Sequence, residues 1–126
     1  MKLMQHKNNK SIGKKRNNME IYNKLVRDKI PDLIKKNGES CKVEILEQEA
    51  FIVALKKKLQ EEVDEYLTSQ HEEEAIEELA DILEIIHSLA QTHHQTMNEV
   101  EKVRQIKYKE RGGFNKKYYL INTNKK

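Results

Sequence analysis

Residues 58–84 read KLQEEVDEYLTSQHEEEAIEELADILE, and the period of their apolar positions decides the fold. Two helices follow from it, joined by the polar turn Thr68-Ser69-Gln70-His71, in which Ser69 or Thr68 can cap the second helix. Glu62 and Glu65 lie three apart on the first helix, and Glu78 and Asp81 three apart on the second, a spacing that makes side chains neighbours on a helix surface. If the helices fold back as a hairpin, four carboxylates converge on one patch, an arrangement that helical bundles use to hold divalent metals.

The second helix carries the stronger argument. Ala75, Ile76, Leu79, Ile82, Leu83, Ile85, Ile86, Leu89 and Ala90 cover more than half of its circumference, which implies a largely buried helix. Glu78 falls inside that arc, because Ile82, Ile85 and Leu89 follow it at +4, +7 and +11. An ionised carboxylate there is costly unless it is paired, hydrogen-bonded or bound to a metal. Asp81 sits at the edge of the arc. On the first helix the stripe is Ile52, Leu55, Leu59, Val63, Tyr66 and Leu67, with Glu62 on its margin and Glu65 further round. Charged residues make up 36% of the chain, so chance alone places some acids at helical spacing. A solvated face therefore accounts for Glu72, Glu73, Glu74 and Glu77, but not for Glu78.

Working outward, IYNKLVRDKIPDLIKKNG at 21–38 predicts a short helix over about 30–36. Asp28 is the expected N-cap, Pro31 suits the first turn and Asn37-Gly38 the stop. Lys24 and Arg27 precede it, either as an exposed basic loop or as phosphate ligands. KVEIL at 42–46 and YYLIN at 118–122 read as strands that would pair into a two-stranded ribbon, which is marginal unless it rests on helices or pairs across a dimer. Helical period then runs from about Glu47 to Ser69 and from about Glu72 to His93. Thr96 and Glu99 form a capping-box pattern for a last long helix ending at Gly112-Gly113. On it Lys107 and Arg111 share a face, where dipole stabilisation and a phosphate role are both physically apt. Phe114 is expected to pack beneath the glycine turn, the alternative being to stack on a base. The histidines lack metal-ligand spacing. The fold class expected is all-α, a bundle of one short and three long helices with a small two-stranded β ribbon.

Composition bounds the rest. A chain of 126 residues suits one domain with a modest core, and with only 37% hydrophobic residues self-association, as a homodimer or homotetramer, is the natural way to cover the second helix. The single Cys41 suits a reducing cytoplasm, and no apolar run approaches the ~18 residues of a membrane span. Residues 1–18 hold six Lys or Arg and no acid, so without them the formal charge falls from +3 to −3. They read as a disordered basic arm, with Met19 as an alternative start of the helical domain 19–122 and residues 123–126 as a short disordered tail.

EEVDE at 61–65 followed by ELAD at 78–81 resembles the paired E-E-x-x-E and E-x-x-D motifs of the MazG-like, all-α nucleoside triphosphate pyrophosphohydrolases. YNKLVRDKIPDLIKKNG near the start and KYKERGGF at 107–114 are similar to a house-cleaning branch of that superfamily, close to the phosphoribosyl-ATP pyrophosphohydrolase-like proteins. The resemblance spans about Ile21 to Leu120. It implies Mg²⁺ (or Mn²⁺) held by Glu62, Glu65, Glu78 and Asp81, and phosphates met by Lys24, Arg27, Lys107 and Arg111. The reaction implied is cleavage of a nucleoside or deoxynucleoside triphosphate, standard or not, to the monophosphate and pyrophosphate. Glu61 is the candidate for orienting or deprotonating the attacking water. Two alternatives stand beside this: phosphoribosyl-ATP hydrolysis, which KLQEEVDE and ADILEIIHSLA also resemble, and a non-enzymatic helical module binding nucleic acid through the basic arm. The latter is disfavoured because it leaves Glu78 unexplained.

Overall fold

The computed structural model describes residues 19–125, and among these it contains four helices and no strand. They are α1 (Ile30–Lys36), α2 (Gln48–Thr68), α3 (Glu72–Thr92) and α4 (Met97–Arg111). The all-α expectation and the one-short, three-long pattern hold. The basic arm, residues 1–18, lies outside the described residues. No helix among those described is long and apolar enough to cross a membrane.

Two compact units divide the chain, the first reaching Ile85 and the second beginning at Ile86, within α3. In the first, Ile30 and Ile34 of α1 are buried against Val26, Leu33 and Cys41. Asp28 does not cap α1: Lys29 occupies the N-cap position without a side-chain bond, and Pro31 sits in the first turn. Pro31 supplies a fixed φ and asks for no donor, so the helix starts without a carboxylate cap. Asn37 ends α1, followed by Gly38 at φ +86°, a left-handed position that glycine takes without strain.

α2 and α3 are joined by only three residues, the length of a tight αα-hairpin. Thr68 and Ser69 do not cap α3. Their hydroxyls instead donate back to the Asp64 and Tyr66 carbonyls of the last turns of α2, and the Tyr66 carbonyl also accepts from the Ser69 N–H. The start of α3 is served by Glu74, whose carboxylate accepts from the Gln70 N–H at 3.4 Å. Leu55 on α2 and Ile85 and Ala90 on α3 are the buried apolar residues of these two helices.

In the second unit, His94 takes a left-handed φ of +61° just past α3, and the His93 and Gln95 N–H groups both donate to the Ala90 carbonyl. That hydrogen-bonded turn ends the helix in the manner of an αL cap. Thr96 is the N-cap of α4, but its side chain makes no capping bond, so the expected capping box is not formed. At the other end Gly112 has φ +83° and its N–H donates to the Tyr108 carbonyl at 2.7 Å. A Cβ on Gly113 would lie 3.2 Å from the Tyr108 ring. Tyr108 therefore fills the place expected for Phe114, which is 95% exposed.

The β ribbon is not formed. KVEIL and YYLIN are irregular, and Ile45 is 97% exposed. Two short strands without a sheet face to bury cannot hold a ladder against solvent competition, and none of the residues 118–121 is covered.

Two measurements check these packing and charge relations. Leu55→Ala removes one of the few buried apolar side chains and should cost about 2–4 kcal/mol, read from urea unfolding; a loss under half a kcal/mol would contradict its core position. On α4, Arg104 donates two hydrogen bonds to Glu101 at 2.8 and 2.7 Å, and Gln105 adds a third. The Arg104 bonds hold the Glu101 carboxyl down at about 2, from an ordinary 4.5. A depressed folded pKa gives stabilisation that is present above the ordinary carboxylate range and is lost as pH falls toward 2. NMR titration of Glu101 should show that low midpoint, and Arg104→Ala should return it toward 4.5.

Candidate metal centre

The hairpin register builds the site. Glu62 lies six residues before the end of α2 and Glu78 six residues after the start of α3, so both are about 9 Å from the turn at 1.5 Å rise per residue. Level with each other and facing inward, they are 3% and 4% exposed, the two buried charged residues of the described chain. Asp81, one turn on from Glu78, is half-buried beside them. Carboxylate oxygens of Glu62, Glu78 and Asp81 all lie within 4.8 Å of one another.

Three carboxylates so close repel one another in a medium poorer than water, and cations answer them. Lys58, one turn before Glu62 on α2, brings its Nζ to 3.6 Å from the Glu62 carboxylate. Arg27 donates to Asp81 Oδ1 at 2.7 Å across 54 residues of sequence. Arg27 is held there by its neighbours: Val26 packs on the Ile30–Ile34 cluster, and the Ile30 N–H closes a turn onto the Arg27 carbonyl. The loop that precedes α1 is thereby tied to the second helix of the hairpin.

No protein-family model, curated protein or solved structure matches this chain.

The expected site residues divide by position. Glu62, Glu78, Asp81 and Arg27 are brought together. Glu65, one turn beyond Glu62 and half-buried, falls outside the close group of three. Glu61 lies on another side of α2, where with Lys24, Lys57 and Lys58 it lines a shallow hollow that also includes Asn23, Leu25 and Ala54. Asn23 takes φ +46° there, a left-handed conformation that asparagine tolerates better than most residues. Lys107 and Arg111 are exposed on the last turns of α4, in the second unit. His71, His87, His93 and His94 are all exposed.

Lys58 is the site residue that the sequence reading missed. A signal was present: a Lys four residues before a Glu on one helix is within reach of it, although this is the weaker order of the pair, and here the Glu lies on the margin of the apolar stripe of α2. Lys58 also borders both the carboxylates and the hollow, so it joins the two parts of the site.

An oxygen-only donor set of three carboxylates, two of them buried, fits a hard divalent cation such as Mg²⁺. Ligand binding to the folded state alone raises thermal stability. Mg²⁺ or Mn²⁺ titrated into the protein should therefore raise its melting temperature, and Glu78→Gln should abolish that response; an equal response in the variant would separate the carboxylates from the ion.

Proposed function

We propose that the chain is a Mg²⁺-dependent nucleoside triphosphate pyrophosphohydrolase. The observation that carries this reading is the pair of buried carboxylates, Glu62 and Glu78, converging with Asp81 within 4.8 Å. Burying two like charges face to face is destabilising in itself, and a divalent cation offsets it. The resemblance of EEVDE and ELAD to the MazG-like motifs supplies the substrate class, because it falls on the same residues.

In this reading Glu62, Glu78 and Asp81 hold the cation, with Glu65 as the further carboxylate on the same helix. When bound, the ion supplies charge neutralisation for the phosphates and a lowered pKa for the attacking water. The remaining steps belong to the chain. Lys24 and Lys58 line the hollow, Lys58 also standing beside Glu62, and with Arg27 they provide positive charge for the β- and γ-phosphates. A triphosphate brings about four negative charges, more than one divalent ion neutralises, and charge-assisted bonds from these cations take up the rest. Glu61 accepts the proton of the water as its oxygen bonds to the α-phosphorus. The bond from that phosphorus to the bridging oxygen breaks, and pyrophosphate leaves. Products are the nucleoside monophosphate and pyrophosphate.

Arg27 and Lys58 have a double use in this scheme. Their ion pairs with Asp81 and Glu62 neutralise the carboxylates, and the same two cations become free to meet phosphates once another positive charge replaces them. The fold is proposed to act in the cytoplasm, where Cys41 stays a free thiol, and as a homo-oligomer.

The direct check is pyrophosphate release with Mg²⁺ over a panel of standard, deoxy and non-standard triphosphates. Glu62→Ala and Asp81→Ala should each lower turnover by at least 100-fold, comparable to losing a major electrostatic contribution. Glu61→Gln should lower kcat with little change in KM. Full turnover in Glu62→Ala would refute the assignment.

A further inference from the structure

After Gly113 the chain runs through FNKKYYLINTNK, residues 114–125, without regular structure and almost wholly exposed. Phe114 and the quartet Tyr118-Tyr119-Leu120-Ile121 are each at least 77% exposed. Aromatic side chains offer 150–250 Å² each, so Phe114, Tyr118 and Tyr119 alone present roughly 500–600 Å² of largely apolar surface. With Leu120 and Ile121 the segment approaches the ~800 Å² that one partner contributes to a stable protein interface. An apolar display on this scale is itself the mark of an interaction surface.

A matching surface exists on α3. Ile76, Leu79 and Leu83 point to solvent, away from the inward-facing Glu78 and Ile85. They follow one another at spacings of three and four, which places them on one face of the helix. The neighbours of Ile76 one turn toward the N-terminus are Glu72 and Glu73, both exposed. On the other segment, Lys116 and Lys117 stand immediately before the apolar quartet, and residues 112–125 contain no acid.

We propose that these two surfaces bind each other between two copies of the chain: the 114–121 segment of one copy lies along the Ile76–Leu79–Leu83 seam of the other. Lys116 and Lys117 meet Glu72 and Glu73, and the Tyr118–Ile121 quartet covers the seam. The lengths agree. Four extended residues span about 13 Å at 3.3 Å each, and seven helical steps from Ile76 to Leu83 span about 10.5 Å. Order agrees as well, since basic-then-apolar on the segment runs alongside acidic-then-apolar on the helix. Closed as a two-fold exchange, each copy gives one segment and receives one, so both kinds of apolar surface are covered in each copy. The occupant is a second copy because the chain itself carries both halves of the match. This proposal uses none of the carboxylate-site residues and stands apart from the hydrolase reading.

The experiment uses the full chain with Cys41→Ser to remove the native thiol. One preparation carries Leu79→Cys and a second, differently tagged, carries Tyr119→Cys; the two are mixed and oxidised. A disulfide-linked species containing one chain of each kind is the expected product, and Asn98→Cys in place of Leu79→Cys should give none. In parallel, sedimentation equilibrium of Lys116→Glu/Lys117→Glu should show self-association weakened at least tenfold, with recovery when Glu72→Lys/Glu73→Lys is added. A chain carrying both cysteines that forms only an internal disulfide, a mixture that gives no mixed species, or self-association unchanged by Lys116→Glu/Lys117→Glu would each overturn the proposal.

Discussion

Two like charges facing each other in the low-dielectric seam of a helical hairpin set the terms for the first unit of this protein. Glu62 and Glu78 are buried almost completely, and neither has the water that makes a carboxylate inexpensive elsewhere on the chain. The ordinary solution to this problem is an apolar residue, and α2 and α3 have leucines and isoleucines on either side of both positions. Keeping acids there costs stability. It also leaves a patch of concentrated negative charge at a fixed place, which is the property that binding a hard cation requires.

Other features of the unit follow from that charge. Lys58 is brought under the helix margin rather than extended into solvent, with its ammonium at Glu62. Arg27 reaches from the loop before α1 to Asp81, and the small cluster formed by Ile30, Ile34 and their neighbours fixes the loop from which it extends. α1 is too short to persist alone. Its role is to anchor a strand of irregular chain whose cations face the hairpin acids.

The hairpin turn matters as much as the charges. With three connecting residues and equal offsets of Glu62 and Glu78 from the helix ends, the register leaves little freedom to slide. A slip by one residue would rotate either carboxylate about 100° out of the seam. The hydroxyls of Thr68 and Ser69 bond back onto α2, and the carboxylate of Glu74 reaches back to the Gln70 N–H, so polar side chains hold the turn from both sides. The thin apolar core and the uncovered aromatic segment after α4 are the complementary side of the same economy: few side chains are available for burial within one chain, and many are displayed on its surface.

Sequence periodicity alone determined the helices, their limits to within a residue or two, and the anomaly of Glu78 inside an apolar arc. Those properties are local, fixed by 3.6-residue repetition and by glycine and proline at the ends. It also marked Glu62 and Asp81, since spacing on one helix is a matter of rotation about one axis. Tertiary structure decided what rotation cannot express. It selected three of the four carboxylates as the close group, recruited Lys58 and joined Arg27 to Asp81 across 54 residues. It left KVEIL and YYLIN unpaired and put Tyr108 where Phe114 was expected. Each of these depends on distances between segments far apart in the chain or on competition for one small space, and neither is written in the repeat of a single helix or strand.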